Sequence, residues 1–223
     1  MHKIFNSPGL YALLVGIACS WAGIATAQDA QALTAVCTAC HGSDGNGPIP
    51  DYPKLAGLGE KYLLKQLQDI RASQQGETDG SRQVDLMAGM LASMTDANLE
   101  AIAAYYANQP MTMTGATGGQ TVKLNSGENV DSLAVGENLY RYGNQRTGVP
   151  ACSGCHSPKG LGNAPAGYPR LGGQHPNYVA QQLRNFRGGE RTNDGESQVM
   201  RQVAELMSDA EISAVANYVA GLH

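Results

Sequence analysis

The sequence predicts an all-α fold made of two similar halves, and three observations support this prediction. Apolar residues recur at helical spacing in several segments, no segment of useful length alternates apolar and polar residues, and the motifs of the first half return in the same order in the second. The 223 residues are 42% hydrophobic and 15% charged, which is typical of a globular protein. A formal net charge of −4 provides no basic stripe for phosphates, so we expect no nucleic-acid partner.

The first 27 residues are predicted to be a secretory signal peptide. A short positive segment opens the chain, an uncharged apolar run covers residues 9–25, and a small-x-small pattern ends at Ala27, after which cleavage is expected. The apolar run is short for a membrane-spanning helix, which needs about 20 residues. A lipoprotein would be modified at Cys19, but Gly16 stands where a larger aliphatic residue is expected. We therefore expect an exported, periplasmic protein, with a retained anchor or a lipoprotein as the alternatives.

Residues 28–109 are predicted to form the first domain, and a short helical run at their start leads into a cysteine motif. The motif is Cys-x-x-Cys-His and consists of Cys37, Cys40 and His41. It suits covalent haem attachment, because two thiols can add to the haem vinyl groups while the adjacent imidazole lies under the iron. The same motif returns 115 residues later as Cys152, Cys155 and His156.

A zinc site and a redox disulfide are the two alternatives to haem attachment. A four-cysteine zinc site usually joins its pairs across about 15–20 residues, which is far shorter than the separation in this chain. A thioredoxin-like disulfide would not require a histidine directly after both pairs. We therefore predict two covalently bound haem c groups, with one iron held by His41 and the other by His156.

The segments that follow each motif repeat at nearly the same spacing. A Tyr-Pro-Lys/Arg-Leu segment occupies residues 52–55 and returns at 168–171, and apolar residues at i, i+4 and i+7 predict a helix after each copy. These stripes are Leu63, Leu67 and Ile70 in the first half and Val179, Leu183 and Phe186 in the second. A closing helix is expected after each of the predicted N-caps, Thr95 and Ser208, and Ser208 forms a capping-box pattern with Glu211. Its apolar stripe is Leu99, Ile102 and Tyr106 in one copy and Ile212, Val215 and Val219 in the other.

Residues 110–131 are predicted to be a linker, because they are rich in Gly, Thr and Asn. The second domain is expected over residues 132–223 and opens with an amphipathic helix that contains Leu133, Leu139 and Tyr140. Each half is therefore predicted to run from a haem motif through a loop and a helix to a second loop and a closing helix.

Each iron needs a second axial ligand, and the repeat leaves two aligned pairs of methionines. Met87 aligns with Met200, and Met94 aligns with Met207. Met94 and Met207 directly precede the predicted N-caps, where they would pack as a hydrophobic staple. Met87 and Met200 have no such structural role and are expected in the loop before the closing helix. We therefore predict Met87 and Met200 as the ligands, with the staple pair as the alternative.

Several polar residues outside the ligand set have candidate roles. Arg82 and Arg191, or Tyr52 and Tyr168, could bond the haem propionates, and an ordinary packing or surface role is the alternative. His175 aligns with a glycine in the first half, so a role as iron ligand would break the symmetry. We expect His175 to be a surface or loop histidine.

Charge is distributed unequally between the halves. Residues 28–109 carry a net charge of −5 and residues 132–223 a net charge of +1. Four arginines lie near the second methionine in sequence: Arg184, Arg187, Arg191 and Arg201. This pattern indicates either a molecular dipole that steers redox partners or ordinary solvated faces.

The two halves resemble class I cytochrome c domains, and the tandem is similar to the di-haem cytochrome c4 family. The motifs that carry the resemblance are the two Cys-x-x-Cys-His segments, residues 52–57 and 62–67, Met87-Ala88-Gly89, and residues 171–175 and 191–195. The resemblance covers nearly all of residues 30–223. It implies that each domain is wrapped around one covalently attached haem and that the ligand positions fall on His41, Met87, His156 and Met200, in agreement with the repeat.

The resemblance also implies an electron carrier and not an enzyme. Two protein ligands on each iron leave no position open for a substrate, which suits outer-sphere electron transfer. The expected partners are a redox protein donor and acceptor, toward a terminal oxidase in a respiratory chain, often at the membrane surface. The alternative is a di-haem cytochrome subunit of a sulfur-compound dehydrogenase, or a di-haem redox enzyme with a displaceable axial ligand.

Overall fold

The computed structural model describes residues 27–74 and 80–223, so the predicted signal peptide lies outside the described residues except for Ala27. Within these ranges the chain forms ten α-helices and a single two-stranded sheet. The all-α prediction is therefore confirmed, with one small hairpin in addition. Over the same ranges, no helix has the length and apolar character needed to cross a bilayer.

The first half contains five of the helices. They are α1 (Ala27–Leu33), α2 (Thr38–His41), α3 (Glu60–Gln74), α4 (Asp85–Leu91) and α5 (Asp96–Ala107). A short 3₁₀ turn, Thr34–Cys37, joins α1 to α2. Helix α3 packs on α4 and α5 through the two predicted apolar stripes, whose side chains are buried: Leu63, Leu67, Ile70, Leu99, Ile102 and Tyr106. The periodicity of the sequence thus identified the core of this half.

The second half contains the sheet and the remaining helices. They are β1 (Thr121–Lys123), β2 (Asn129–Asp131), α6 (Ser132–Tyr142), α7 (Ser153–His156), α8 (Pro176–Gly188), α9 (Val199–Glu205) and α10 (Asp209–Ala220). Helices α6 and α10 approach closely at Gly136, where a Cβ atom would lie 2.3 Å from the carbonyl oxygen of Ala214. Only glycine fits at that position, so the crossing of these two helices depends on it.

The first part of the segment between the halves, which its composition predicts to be a linker, is held by hydrogen bonds. The Thr112 N–H donates to the side chain of Asn46 at 2.8 Å, and the Gly115 N–H donates to the Ala220 carbonyl at 2.9 Å. Thr117 exchanges two hydrogen bonds with the side chain of Asn217. Residues 110–117 therefore form a strap that is bonded first to one half and then to the other. Composition does not reveal these bonds, because their partners lie far away in sequence.

The two halves also bond to each other directly, and this corrects the prediction for His175. Gln174 accepts from the Lys54 N–H at 2.8 Å and donates to the Lys54 carbonyl at 2.9 Å. His175 is 5% exposed, and its Nε2 lies 2.8 Å from the Gly47 carbonyl of the first half. His175 therefore lies in the loop before α8, as one of the two expectations had it, but it is a buried contact between the halves and not a surface residue, because the docking of the halves covers it.

Both closing helices begin at the predicted N-caps. The Thr95 hydroxyl accepts from the Asn98 N–H, and the Ser208 hydroxyl accepts from the Glu211 N–H. In each case the third helical residue accepts a hydrogen bond in return from the backbone N–H of the cap, which completes a capping box. The prediction of both caps is confirmed.

Replacing Glu211 with glutamine is expected to lower the free energy of unfolding of the second half by about 1 kcal/mol at neutral pH, the usual value of a helix cap. Burial alone would raise the pKa of Glu211, but hydrogen bonds from the Ser208 N–H, the Asn144 amide and the Ser208 hydroxyl outweigh it and hold the pKa below its usual value. The stabilisation is therefore complete above about pH 4.3 and is lost as the pH falls through the lower pKa of the folded state.

Denaturant unfolding from pH 7 to pH 2, followed by circular dichroism, measures this contribution. The difference between wild type and Glu211→Gln should shrink as the pH falls. Glu205→Gln, which changes an exposed carboxylate of the same half, is the control and should stay close to wild type. A Glu211→Gln difference that is constant across this range would contradict the assignment.

Candidate functional site

The two Cys-x-x-Cys-His motifs adopt the same local structure. Cys37 and Cys152 stand at the N-caps of the single-turn helices α2 and α7, and each helix ends at the histidine of its motif. Helical spacing at i, i+3 and i+4 places both sulfur atoms and the imidazole on one side of the backbone. The four cysteines are free thiols, three partly buried and Cys155 exposed. The arrangement can therefore present two thiols and one imidazole to a single planar group.

Each histidine is held in one orientation by a proline carbonyl. His41 Nδ1 lies 2.8 Å from the Pro53 carbonyl oxygen, and His156 Nδ1 lies 2.9 Å from that of Pro169. A carbonyl oxygen only accepts, so Nδ1 carries the proton and Nε2 keeps its lone pair. These prolines belong to the repeated segments 52–55 and 168–171, which explains why the segments recur with the haem motifs.

The environment keeps both imidazoles neutral and ready to bind a metal. Both side chains are buried, and burial lowers the pKa of His41 and of His156, which outweighs the opposite effect of the bonds to the proline carbonyls. The charge of Arg82 lowers the pKa of His41 further. A neutral imidazole with a free Nε2 and two neighbouring thiols is the donor set of a c-type haem site, so these residues fit that group.

The turn after each histidine is also shared, although its residues differ. Gly42 and Ser157 both adopt a left-handed conformation, with φ of 76° and 68°. This conformation is sterically unfavourable for Ser157, which has a Cβ atom. The Ser157 hydroxyl accepts a hydrogen bond from the Leu161 N–H at 2.9 Å. In the first half a Cβ at Gly47 would lie 2.5 Å from the Cys40 carbonyl, so the loop can return over the motif only with glycine. The chain thus wraps tightly around each attachment site.

The methionines predicted as ligands lie in short helices and not in loops. Met87 lies in α4 and Met200 in the first turn of α9, and both side chains are partly buried. Seven-residue helices leave too short a periodic pattern to be recognised in sequence. The alternative pair has the expected structural role, since Met94 packs against the core of the first half and Met207 is buried in that of the second.

Two arginines that sequence reasoning could not assign meet at the contact between the halves. Arg82 donates to Gln66 of its own half at 2.9 Å and to Tyr178 of the other half at 3.0 Å. Arg191 repeats this pattern, with Gln182 of its own half at 2.9 Å and Tyr62 of the other at 3.2 Å. Among the described residues neither guanidinium forms an ion pair. Two sheltered cations without a carboxylate suit negatively charged haem propionates.

The four arginines that lie near Met200 in sequence do not form a free basic patch. Arg187 pairs with Asp209 at 2.6 Å, and Arg184 lies 3.8 Å from the same carboxylate. Arg201 pairs with Asp194 at 2.7 Å, and Arg191 is only 7% exposed. Two carboxylates, Asp209 and Asp194, therefore offset part of the positive charge of this cluster. The difference in net charge between the halves remains.

Comparison with known proteins gives a consistent result. A family model described as "Cytochrome c" matches residues 27–109 and 139–223. The chain is 47% identical to "Cytochrome c4" of Pseudomonas aeruginosa over the full length of both chains, and 50% identical to "Cytochrome c4" of Azotobacter vinelandii over 86% of this chain and 87% of that one. A "Thiosulfate dehydrogenase electron acceptor" of Thiomonas intermedia is 34% identical over 90% of this chain and 84% of the relative.

A solved structure supports the same relationship. The crystal structure of reduced recombinant cytochrome c4 from Pseudomonas stutzeri superimposes with a TM-score of 0.79 at 48% identity. The match covers 89% of this chain and 99% of that chain. Both the fold and the sequence of the two halves are therefore similar over the whole region that carries the haem motifs.

Proposed function

The chain belongs to the cytochrome c4 family, and on that premise we propose that its two irons are held by His41 with Met87 and by His156 with Met200. As a member of this family it is a di-haem electron carrier with two covalently bound haem c groups. The observation that carries the ligand proposal is the orientation of the two histidines, whose Nδ1 atoms bond to proline carbonyls and whose Nε2 atoms stay free. Cys37, Cys40, Cys152 and Cys155 are the proposed attachment sites.

The protein's own residues make the site suitable for moving electrons and nothing else. A bound haem supplies a one-electron couple at its iron. With the imidazole and the thioether as its two protein ligands, each iron would have no coordination position open to water or a substrate. The bonds from Nδ1 to the proline carbonyls hold the imidazole fixed and increase its basicity, while methionine sulfur favours the reduced state. Arg82 and Arg191 are proposed to hold the propionates at the contact between the halves.

We propose the domain boundaries that the repeat indicates, with a first domain at 28–109, a linker at 110–131 and a second domain at 132–223. The end of α5 at Ala107 and the start of α6 at Ser132 support them. We also propose that residues 1–27 are removed after Ala27 on export to the periplasm. The apolar run and the small-x-small pattern of the sequence support this location.

A terminal oxidase of a respiratory chain is the proposed acceptor, reached at the membrane surface. The 47–50% identity to proteins named cytochrome c4 supports a carrier of this kind. A second candidate is the electron acceptor of a thiosulfate dehydrogenase, which is supported by the relative of that name at 34% identity. The higher identity favours the first candidate.

The reduced holoprotein is expected to be reoxidised rapidly by membranes that contain a terminal oxidase, because both haems can pass electrons without a change of ligands. Stopped-flow absorbance of the reduced haem bands measures the rate, and cyanide, which blocks the oxidase, should abolish it. A parallel reaction with thiosulfate and a thiosulfate dehydrogenase should reduce the protein more slowly. No cyanide-sensitive oxidation, together with rapid reduction by the dehydrogenase, would replace the first candidate with the second.

A further inference from the structure

The segment that leads into the proposed axial methionine differs in length between the halves. Met87 follows Arg82 by five residues, whereas Met200 follows Arg191 by nine. The additional residues form an exposed turn at 195–198. A longer turn holds its last residues less firmly, since more backbone must be ordered to fix them. More backbone must therefore be restrained between Arg191 and Met200 than between Arg82 and Met87.

An ion pair supplies such a restraint by closing the turn. The Arg201 Nε donates to Asp194 Oδ1 at 2.7 Å, and the Arg201 backbone N–H donates to Asp194 Oδ2 at 2.9 Å. The guanidinium also donates to the Thr192 carbonyl at 3.1 Å. The side chain of Asp194 is 5% exposed and that of Arg201 is 24% exposed. Because the pair is sheltered from water, salt and solvent weaken it less than the exposed pairs of this protein.

Asp194 also replaces the missing cap of helix α9. The N-cap residue, Gln198, has a left-handed φ of 49° and makes no side-chain cap bond. Asp194 accepts instead from the N–H of Arg201, the third residue of the helix. Met200 lies directly before Arg201, so the pair fixes the turn that carries the sulfur. In the first half Ala88 follows Met87, and an alanine cannot form this pair.

The same turn is anchored to the first half of the molecule. The Asn193 amide donates to Asp69 at 2.6 Å and to Gln66 at 3.0 Å, both on α3. Lys65 of the same helix donates to the Asn193 carbonyl at 3.0 Å. Asn193, which directly precedes Asp194, is therefore hydrogen-bonded to the first half, and the position of Met200 depends on that contact.

We propose that Asp194 and Arg201 are positioning residues for the Met200 sulfur, a pair that cannot form after Met87, where alanine stands in place of the arginine. The pair keeps the longer turn closed and holds the thioether toward the iron. This rests on the proposed role of Met200 as an axial ligand. An added ligand such as imidazole must displace the sulfur from ferric iron, so its apparent affinity measures how firmly the sulfur is held.

Imidazole titration of the oxidised full-length holoprotein, followed by the sulfur-to-iron charge-transfer band, tests the proposal. Asp194→Ala and Arg201→Ala should each raise the affinity of one haem for imidazole about tenfold and leave the other haem unchanged. Arg201→Lys should give a smaller increase, because lysine keeps the charge but not the paired donors. Arg187→Ala, which removes an ion pair of the same half away from the Met200 turn, is the matched control and should titrate as wild type.

A second measurement does not depend on the haem. Amide hydrogen exchange at Arg201 should accelerate in Asp194→Ala, because its acceptor is lost, and should stay at the wild-type rate in Arg187→Ala. In the double variant Asp194→Ala with Met200→Ala, the imidazole affinity should not exceed that of Met200→Ala alone. A further increase would show that the pair does not act through the sulfur and would overturn the proposal.

Two other outcomes separate this proposal from the ligand assignment. If Met200→Ala opens one haem to imidazole while Asp194→Ala and Arg201→Ala titrate as wild type, Met200 is the ligand and the positioning role is wrong. If Met200→Ala itself leaves both haems unchanged, the ligand assignment is wrong and the positioning role is wrong with it.

Discussion

Replacing Met87 or Met200 with alanine is expected to remove about half of the sulfur-to-iron charge-transfer absorbance of the oxidised protein, since one of the two proposed thioether ligands is lost. The affected haem should also become easier to oxidise. Methionine sulfur stabilises ferrous iron, and axial ligands tune haem potentials over about 0.8 V, so its replacement by water should lower that potential by a substantial part of this range. Visible spectra and a spectroscopic redox titration of each holoprotein measure the two effects.

Met94→Leu and Met207→Leu are the matched controls for this experiment. Both side chains pack in the cores of their halves directly before a capped helix, and leucine keeps the apolar bulk that this role requires. The charge-transfer band and both potentials should therefore stay at the wild-type values. Loss of the band in Met94→Leu or Met207→Leu, with the band retained in Met87→Ala and Met200→Ala, would exchange the two assignments.

Replacing Cys152 and Cys155 together with alanine is expected to leave one covalently attached haem per chain. Thioether bonds to these two sulfur atoms are the proposed attachment of the second haem, while Cys37 and Cys40 remain for the first. Cys152 also packs against the core of the second half, so this half should unfold at a lower denaturant concentration once its haem is lost. Acid-acetone extraction followed by mass spectrometry counts the haem groups that stay attached.

Cys19, the cysteine that belongs to neither haem motif, is the control for haem attachment. Cys19→Ala lies within the predicted signal peptide and should leave two attached haems on the mature protein. Two attached haems in the Cys152→Ala, Cys155→Ala variant would contradict the proposed attachment sites. Complete loss of attached haem would show that the first half cannot be loaded alone.

The features that were predictable from sequence are those that depend on nearby residues. The apolar stripes of α3, α5, α8 and α10 and the caps at Thr95 and Ser208 follow from spacings of three to seven residues, and the structure contains them. The haem motifs were recognisable because covalent attachment needs a fixed order of residues. Features that depend on such short spacings can be predicted from the sequence alone.

The features that were missed depend on the docking of the two halves. The burial of His175, the bonds of the strap and the bonds from Arg82 and Arg191 to the opposite half all join residues more than 50 positions apart. Helical periodicity carries no information about such pairs. The repeat does contain one useful signal: Tyr62 and Gln66 return as Tyr178 and Gln182, each one residue before an apolar position of the helix stripe, and these side chains form the contact.

The reciprocal pattern around Arg82 and Arg191 has the form of an isologous dimer interface. Each half offers one arginine, one glutamine and one tyrosine, and each arginine bonds to residues of both halves. Two separate copies of a single-haem protein would meet through the same surface with two-fold symmetry. Joining the copies in one chain makes their association intramolecular and independent of protein concentration. Because the two copies are encoded separately within one chain, a sequence change in one copy, such as that in the turn before Met200, does not have to appear in the other.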